Sequence, residues 1–490
     1  MRINHETCTG CGYCLLTCPS QAIVSDGWAR ILDEACTDCT LCVHACPNDC
    51  FLPEVPLKVP ALRCRDHYDA VVIGAGIGGL MVAAGLVQAG WQVAVFEKLG
   101  FLGGRYTEIN HRGYAVTTGA WTPMGPKSNI GRFLADVGAR VEYIRLRDKS
   151  LTEVSRFRFR DGREFGGLLE MLSGQEKRAF LRALVQGRRD APRHMSTRAY
   201  LERHVQNEDL LAAVDALVVT ASGLHADAVP ASEYMRITLD TRAVGRDFGF
   251  PAGGVHVLVE ALARVIEDHG GAIFTQAEVA RIRVEGGAAR GVTLVNGDAI
   301  EAGTVIHNGG AHRLLELVGR EKLPAAYVER IEGLVPVECA ALILGTRKPL
   351  FGEAPMLLTP GCQRVAGIFA PTWFDPSLAP PGHEMYDVFL PLASDDRRAE
   401  LALAWDDLRA LFPHLDDVVD LAVPMFFTGT WPGTESGQTF GQVGEERLDP
   451  RTPIESLYLV GMDVQGSGVA GDLIPVGVRK LLSHMEARGS

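Results

Sequence analysis

The sequence is short of positive charge. Its 490 residues contain 48 Lys and Arg against 60 Asp and Glu, which gives a formal net charge of −12. Nucleic acids and anionic lipid surfaces attract proteins with the opposite balance, so we expect neither as a partner. The composition is otherwise that of a globular protein, with 47% hydrophobic residues, and the length predicts two or three domains.

An N-terminal export signal is also missing. No apolar segment precedes Cys8, although a secretory signal would place one there. Cysteine is scarce later in the chain, because nine of the twelve lie within the first 50 residues. A secreted disulfide scaffold is an alternative, but the large α/β body described below favours a reducing cytoplasm.

Charge is absent from the stretch that runs from Ala70 to Phe96. Its length would suit a membrane-spanning helix. The stretch contains several glycines, however, and its pattern changes from a β-branched apolar run to a helix and back to the short strand Val93 to Phe96. This pattern predicts a soluble β-α-β unit of a parallel sheet instead of a membrane span.

A dinucleotide-binding fingerprint lies inside this unit. Gly74, Gly76 and Gly79 form G-x-G-x-x-G directly after the first strand. The first glycine permits a tight turn, the second lets a pyrophosphate approach the main chain, and the third lets the helix pack closely on the strand. Glu97 follows the second strand, where a carboxylate can accept hydrogen bonds from a ribose hydroxyl. We predict a bound dinucleotide; the alternative is a glycine-rich loop in an ordinary α/β domain.

Two identical cysteine motifs, C-x2-C-x2-C-x3-C-P, occupy the first 50 residues. In this pattern three cysteines on a tight loop hold one cubane, and the fourth reaches the other cluster. Zinc is the alternative, but it binds C-x2-C pairs and does not use the third and fourth spacings. We predict two [4Fe–4S] clusters, one held by Cys8, Cys11, Cys14 and Cys46 and the other by Cys36, Cys39, Cys42 and Cys18.

Residues 1 to 50 resemble the two-cluster bacterial ferredoxins over almost their full length. Cys50 departs from that pattern, and we expect a buried thiol that is not a ligand. Pro53, Pro56 and Pro60 predict a stiff, extended linker after the cluster domain. Cys64 follows it, and we expect a structural or incidental role.

The remainder of the chain resembles the FAD-dependent amine oxidase and phytoene desaturase superfamily. The resemblance rests on Gly103-Gly104-Arg105 after the β-α-β unit, on Phe250 to Leu262 with the following strand, and on Ser456 to Asp463. It implies FAD as the dinucleotide. The family pattern implies further cofactor contacts at Gly104, Arg105, Val279, Gly461, Asp463 and Gly468.

A second literal G-x-G-x-x-G runs from Gly466 to Gly471. Only 19 residues follow it, so it has no room for a second strand with an acidic residue. We interpret it as the start of a terminal helix whose N–H groups face the flavin. One fingerprint, for FAD, is therefore expected.

The predicted fold class is α/β: a Rossmann-like FAD-binding domain with an inserted α+β substrate domain, preceded by a small α+β ferredoxin-like domain. Apolar stretches at Val388 to Leu392 and Pro424 to Phe427 could line a substrate pocket or form ordinary core strands. The predicted divisions are 1–52 for the clusters, 53–66 for the linker, 67–122, 246–324 and 441–490 for FAD, and 123–245 and 325–440 for the substrate side.

Two classes of function follow. The first is an oxidoreductase whose clusters relay single electrons to or from FAD, which reduces or oxidises a carbon–carbon bond of an apolar, isoprenoid-like substrate. The second is an electron-transfer subunit that passes electrons between ferredoxin and another redox protein or NAD. Either class implies a one-electron carrier as partner. No residue is assigned as catalytic: His256, His307 and His312 are more simply structural. The lysine near the flavin in the amine-oxidase branch has no counterpart that we can locate, which puts amine oxidation in doubt.

Overall fold

The structure is a computed structural model. It describes residues 1–54, 57, 62–119, 125–146, 155–190, 192–244, 247–352, 354–429 and 431–489. Of the predicted linker prolines, Pro53 is described, whereas Pro56 and Pro60 lie outside the described residues.

Helices and strands alternate along most of the chain. The described α-helices are α1 (Tyr13–Thr17), α2 (Leu41–His44), α3 (Ile77–Gln88), α4 (Asn129–Asp136), α5 (Gly174–Asp190), α6 (Thr197–Glu202), α7 (Glu208–Ser222), α8 (Ala231–Val244), α9 (His256–Asp268), α10 (Ala311–Val318), α11 (Ala325–Glu332), α12 (Arg397–Leu411), α13 (Leu415–Val418) and α14 (Ile474–Gly489). The described strands are β1 (Arg2–Ile3), β2 (Ile23–Ser25), β3 (Ala29–Ile31), β4 (Phe51–Leu52), β5 (His67–Ile73), β6 (Val93–Phe96), β7 (Glu108–His111), β8 (Tyr114–Thr117), β9 (Tyr143–Arg145), β10 (Ser155–Arg158), β11 (Glu164–Phe165), β12 (Gly249–Pro251), β13 (Ala272–Phe274), β14 (Val279–Glu285), β15 (Ala288–Leu294), β16 (Ala299–His307), β17 (Cys339–Thr346), β18 (Met356–Leu358), β19 (Gly367–Phe369), β20 (Glu384–Pro391), β21 (Val419–Phe427) and β22 (Leu457–Leu459).

The first large sheet carries the predicted β-α-β unit. Its order is β13-β6-β5-β16-β15-β14, and β22 pairs with the end of β16. Strands β13, β6, β5, β16 and β22 are parallel to their neighbours, whereas β14 and β15 form an antiparallel extension of β16. The uncharged stretch becomes β5, α3 and β6, which are almost wholly buried. The β-α-β prediction is therefore confirmed.

The second large sheet combines strands from both inserted segments. Its order is β11-β10-β18-β19-β20-β17-β21, with β10 and β18 joined in parallel. Strands β10 and β11 form a hairpin that turns at Asp161 and Gly162. Helix α5 opens with a reciprocal capping box, in which the Ser173 main chain donates to Glu176 at 2.8 Å and the Glu176 main chain donates to Ser173 Oγ at 3.4 Å. The predicted α/β class with an α+β insertion is confirmed.

The terminal helix begins later than the glycine pattern suggested. A 3-10 turn covers Ala470–Leu473, and α14 starts at Ile474, beyond the whole glycine motif. Pro475 accounts for this start, because proline has no N–H and fits only the first turn of a helix. None of the described helices is long and apolar enough to cross a bilayer.

The N-terminal domain packs against both large sheets. Its helix α1 lies against β7, the main-chain N–H of Gly100 donates to the carbonyl of His44 at 2.9 Å, and that of Phe426 in β21 donates to Gly10 at 3.0 Å. The ammonium of Lys98 pairs with Asp49 at 2.6 Å. The cysteine motifs are therefore held against the region that contains the glycine fingerprint.

Candidate functional site

One large cavity extends from the glycine fingerprint to the second sheet. Its volume is about 1260 Å³, which exceeds the range of about 300–1,000 Å³ typical of single-ligand pockets. Eight of the ten predicted cofactor residues line it: Gly74, Gly76, Glu97, Gly104, Arg105, Val279, Gly461 and Asp463. Gly79 and Gly468 are not among its lining residues.

The glycine loop is shaped as the fingerprint requires. Gly74 adopts a positive φ of 92°, which makes the turn after β5. A Cβ on Gly79 would lie 2.1 Å from the carbonyl oxygen of Gly74, so this position packs the helix on the strand and need not face the cavity. A Cβ on Gly76 would lie 2.7 Å from the side-chain nitrogen of Asn308, a residue that lines the cavity and that the sequence analysis did not single out.

Glu97 lies at the end of β6 with its carboxylate inside the site. Its two oxygens accept hydrogen bonds from the main-chain N–H groups of Ala75 at 2.7 Å and Leu99 at 2.8 Å. Burial raises the pKa of Glu97, and these hydrogen bonds act in the opposite direction. The carboxylate is thus fixed beside the glycine loop, where a ribose is expected.

Arg105 sits between the glycine loop and an aromatic wall. Its guanidinium pairs with Glu435 at 2.5 Å and lies 5.9 Å from the ring centroids of both Phe427 and Trp431. The preceding Gly104 is close enough to Gly76 that its Cβ would lie 3.7 Å from that residue's Cα. The Gly-Gly-Arg segment therefore forms a second layer against the fingerprint loop.

The later family positions close the other side of the cavity. Asp463 accepts hydrogen bonds from the main-chain N–H groups of Ser436 at 2.9 Å and Ala311 at 2.8 Å, and so joins three segments. Gly468 packs closely against the following 3-10 turn. A Cβ on Gly468 would lie 2.5 Å from the main chain of Asp472.

Several buried polar atoms on the cavity wall have no partner within the described part of the chain. They are Arg105 Nε, Trp431 Nε1, Thr434 Oγ1, His307 Nδ1 and Asp387 Oδ1. Buried polar groups are normally hydrogen-bonded, so such a set marks a surface that a polar ligand contacts. Gly76 and Gly104 carry no side chain, so a ligand can approach their main chain. Together with these donors and acceptors, they fit a dinucleotide with a polar ring system.

The first cysteine group surrounds one small cavity. Cys8, Cys11, Cys14 and Cys46 are all buried and line a space of about 20 Å³. Burial raises the pKa of the Cys11 thiol to about 12, and the proximity of Cys46 and Cys8 contributes in the same direction. The four cysteines predicted for one cluster thus lie together, although Cys46 comes from the second motif. This exchange of the fourth cysteine fits a pair of clusters.

The second cysteine group converges in the same exchanged manner. Burial raises the pKa of Cys42 to about 11, with further contributions from the nearby Cys39, Cys18 and Cys36. The main-chain N–H of Ala22 donates to Cys18 Sγ at 3.3 Å. N–H donors to sulfur of this kind are among the features that tune iron–sulfur sites.

Cys50 is a fifth sulfur beside the first group. It is 3% exposed and lines the same small cavity, and its main-chain N–H donates to Cys46 Sγ at 3.3 Å. Contacts with Cys46 and Cys8 raise the pKa of the Cys50 thiol far above its usual range. Cys50 is thus a buried thiol beside the predicted ligands of the first group.

Tyr13 connects the first cysteine group to the large cavity. It stands between Cys11 and Cys14 in the sequence, is 1% exposed, and lines the large cavity. Its hydroxyl donates to the carbonyl of Thr118 at 2.8 Å and lies 3.4 Å from that of Gly104. Its ring meets Trp431 edge to face, with centroids 6.1 Å apart. The cluster-binding loop and the flavin-binding loop are therefore in direct contact.

Asp387 is a carboxyl group within an apolar part of the cavity wall. It lies in the middle of β20, opposite Ile343 of β17 and Phe369 of β19, and is 5% exposed. Burial raises the pKa of Asp387 to about 8, with a smaller contribution from Glu108. Its neighbour Val388 also lines the cavity. The site thus contains one carboxyl group suited to hold a proton at neutral pH.

Two of the three histidines considered earlier have structural partners. His307 donates from Nε2 to the carbonyl of Gly310 at 2.9 Å, and burial lowers its pKa to about 4. His256 is paired with Glu108 at 2.9 Å, and this contact raises its pKa. His312 lines the cavity. Among the described cavity-lining residues the one lysine is Lys98, which pairs with Asp49 and Glu278.

Sequence reasoning missed Tyr13, Asp387, Trp431 and Glu435. A single charge inside the apolar run from Met385 to Leu390 was a usable signal for Asp387. A large aromatic residue within a C-x2-C spacing was a weaker signal for Tyr13. Trp431 and Glu435 gave no signal in the sequence, because their position depends on the folding of a loop after β21.

Comparison with known proteins agrees with this geometry. The model of the flavin containing amine oxidoreductase family matches residues 77–472, and that of the 4Fe-4S dicluster domain matches residues 1–52. The chain belongs to the flavin containing amine oxidoreductase family. It is 26% identical to the zeta-carotene-forming phytoene desaturase of Myxococcus xanthus. The alignment, 497 positions long with its gaps, covers 86% of this chain and 95% of that protein. It is also 26% identical to an uncharacterized protein of Methanocaldococcus jannaschii, over 85% of this chain and 99% of that protein.

A solved structure supports the same assignment. An oxidoreductase from Methanosarcina mazei has a TM-score of 0.76 at 29% identity, and the match covers 84% of this chain and 99% of that one. The present chain is therefore an oxidoreductase-type flavoprotein with an N-terminal dicluster domain. Its cofactors are FAD and two [4Fe–4S] clusters.

Proposed function

We propose that the protein is an iron–sulfur flavoenzyme that adds hydrogen to, or removes it from, a carbon–carbon bond of an apolar, isoprenoid-like substrate. In this proposal the cluster domain exchanges single electrons with FAD. Cysteines that bind clusters must stay reduced, which suits a reducing compartment. We therefore propose that the protein is located in the cytoplasm. When bound, the clusters supply electrons singly and FAD supplies them in pairs.

The contact of Tyr13 with Gly104 and Thr118 carries the proposal. It joins the loop that holds the first cysteine group to the Gly-Gly-Arg segment at the cavity, and the Tyr13 ring is buried at this junction. Arg397 and Lys98 hold the cluster domain in this place from two other sides. A cluster domain that was only attached to the flavin-binding body, without exchanging electrons with it, would not require a buried side chain at this junction.

The substrate side of the cavity is apolar. Its walls come from α5, α7 and the second sheet, and include Phe157, Phe180, Leu217, Phe248, Met356 and Leu358. Such a surface stabilises a hydrocarbon chain by removing it from water. The names of two groups of relatives, phytoene desaturases and prolycopene isomerases, support an isoprenoid-like substrate class.

Asp387 supports the proton part of this chemistry. Reduction of a carbon–carbon double bond needs a hydride on one carbon and a proton on the other, and oxidation needs the reverse. A carboxyl kept neutral by its apolar surroundings can donate that proton at the pH of the cell and recover it from solvent. We propose that Asp387 holds or receives this proton.

The second candidate is an electron-transfer subunit with no small substrate of its own. The solvent-facing second cysteine motif would serve such a subunit equally well. The apolar part of the cavity favours the enzyme, because an electron carrier does not need an enclosed hydrocarbon-sized space beside its flavin.

The experiment replaces one ligand in each cysteine group, Cys11→Ala with Cys39→Ala. We expect both clusters to be lost and FAD to be retained. Reduction of the flavin by a one-electron donor protein should then stop, whereas photochemical reduction should proceed. The control, Cys64→Ala with Cys362→Ala, also removes two cysteines but should change neither reaction. Normal flavin reduction by the donor in the first variant would refute the relay, and loss of FAD there would indicate a structural role for the clusters.

The substrate class needs a separate assay. Holoenzyme is incubated without oxygen with phytoene or prolycopene, and the product is analysed by mass spectrometry and chromatography. A change of two hydrogen atoms supports the proposed oxidoreductase, and a product of unchanged mass indicates an isomerase. No conversion and no binding of either hydrocarbon would favour the electron-transfer subunit.

A further inference from the structure

The two copies of the cysteine motif differ sharply in exposure. Every residue from Cys8 to Leu16 is buried, because this copy lies between β21 and the flavin-binding loop. In the second copy Cys39 is exposed, and Cys36 and Cys42 are partly so. Two motifs of identical spacing therefore differ in burial: the first is buried at the flavin cavity, whereas the second has Cys39 exposed to solvent and Pro47, at its end, in the cavity wall.

The surface of the second copy combines exposed apolar and acidic side chains. Leu32 is 38% exposed and Leu41 is 46% exposed. Asp33, Glu34 and Asp38 are exposed between them. We call residues 32–41 the distal face.

The distal face carries a local excess of negative charge. No Lys or Arg occurs between Arg30 and Lys58 in the sequence. Asp38 is paired with the terminal ammonium of Met1 at 3.3 Å. Asp33 and Glu34 form no ion pair with any residue that the structure describes. Their charge is therefore available to a partner.

We propose that the distal face is the docking surface for a basic one-electron carrier protein. The inference rests on the proposed function and names its partner class. Transient protein interfaces combine apolar and charged side chains, as the distal face does, and weak redox complexes bury little area. Opposite charge raises the rate of encounter, and the apolar leucines add contact area after docking.

When its cluster is bound, the group of Cys36, Cys39, Cys42 and Cys18 would hold the one-electron centre with which a docked carrier exchanges an electron. A reduced carrier is oxidised by one electron, so two events supply the electron pair of one turnover, and the accompanying protons come from solvent. Tyr13, which stands within the first cysteine motif, lines the flavin cavity, and the first cysteine group surrounds the small buried space. An acidic ferredoxin would be repelled by the distal face and is expected to react more slowly.

The test uses the holoenzyme and a lysine-rich c-type cytochrome as the probe carrier. The variant combines Asp33→Asn with Glu34→Gln, which removes two charges with little change of shape. The matched control combines Glu267→Gln with Asp268→Asn, an exposed acidic pair at the end of α9. Association rates are measured by surface plasmon resonance, and electron transfer by stopped-flow absorbance, over a range of salt concentrations.

We expect the distal-face variant to associate about tenfold more slowly at low salt, the lower end of the range for electrostatic steering. The difference should vanish in 1 M salt, where the screening length is about 3 Å. Leu41→Ser should accelerate dissociation. The control pair should behave like wild type. Equal association rates for the two neutralised variants would overturn the docking surface.

Failure of the docking surface and failure of the relay give different results. If the distal-face variants bind the cytochrome normally, but the Cys11→Ala with Cys39→Ala variant still loses flavin reduction, then only the docking surface is wrong. If that cysteine variant keeps normal flavin reduction by the carrier, the relay itself is wrong, whatever the cytochrome binding shows.

Discussion

The guanidinium of Arg397 donates a hydrogen bond of 3.1 Å to the main-chain carbonyl of Cys8. A second bond of 3.0 Å goes from the same nitrogen to the carbonyl of Gly27. Arg397 begins α12, beside the second sheet, whereas both acceptors belong to the cluster domain. One side chain of the substrate side therefore holds the loop that carries the first cysteine.

Replacing this side chain should loosen the cluster domain. Arg397→Met keeps much of the aliphatic stem but removes both hydrogen bonds, and bonds from charged donors contribute about 1.5–3 kcal/mol each. We expect a lower melting temperature for the iron–sulfur absorbance, with the flavin transition less affected. Arg398→Met is the control, because Arg398 makes an exposed ion pair with Asp26 at 2.9 Å and lies 5.9 Å from the centroid of the Trp28 ring, and exposed ion pairs contribute about 0–1 kcal/mol. Equal effects would contradict this role.

Tyr13 should be essential for the junction through its ring more than through its hydroxyl. Tyr13→Ala removes a fully buried ring and should cost about 3–5 kcal/mol of stability. Tyr13→Phe keeps the ring but leaves the Thr118 carbonyl without its donor, at a cost of about 1–3 kcal/mol. We expect flavin reduction by a one-electron donor to fall strongly in Tyr13→Ala and only slightly in Tyr13→Phe. Stopped-flow absorbance and denaturant unfolding measure the two quantities, and equal rates in both variants would remove the ring from the relay.

The sequence was sufficient for features whose signals lie within about thirty residues. The β-α-β fingerprint and the cysteine repeats have fixed spacings, because a phosphate-binding turn and a cubane each constrain a short loop. These elements formed where they were predicted.

Features that depend on packing between distant segments could not be predicted. Tyr13 meets Thr118 across 105 positions, and nothing in either local sequence indicates the other. The difference in exposure between the two cysteine motifs has the same origin, since their spacings are identical. Asp387 became notable only when its strand was placed between β17 and β19, so that its carboxyl faced an apolar wall.

Gly76→Val tests the division between the two cofactor regions. A branched side chain at Gly76 would enter the space expected for the pyrophosphate and would contact Asn308. We expect FAD to be lost and the iron–sulfur absorbance to persist, because the cysteine groups do not use this loop. Gly352→Val is the control, since a Cβ at this exposed glycine meets no atom within 4 Å. Flavin content and acid-labile sulfide measure the outcome, and FAD bound normally to Gly76→Val would refute the assigned pyrophosphate position.

Asp387→Asn should change how stability depends on pH. The folded-state pKa of Asp387 is raised to about 8 by burial, against about 3.9 in an unfolded chain. Between these values the folded protein keeps a proton that the unfolded chain has released, so the free energy of unfolding falls as pH rises through this window. The amide variant has no such titration and lacks this decline.

The melting temperatures of wild type and Asp387→Asn should therefore diverge as pH rises from about 4 to about 8, with wild type losing more stability. Asp268→Asn, at an exposed position, should keep the wild-type dependence. If Asp387 also supplies the reaction's proton, turnover by wild type should decrease above pH 8, because the carboxyl is then ionised, while the variant turns over slowly at every pH. Flavin reduction by photochemistry should be unchanged in the variant. Parallel melting curves for all three proteins would show that the Asp387 carboxyl is not held neutral in the folded state. A variant with wild-type turnover would remove it from the reaction.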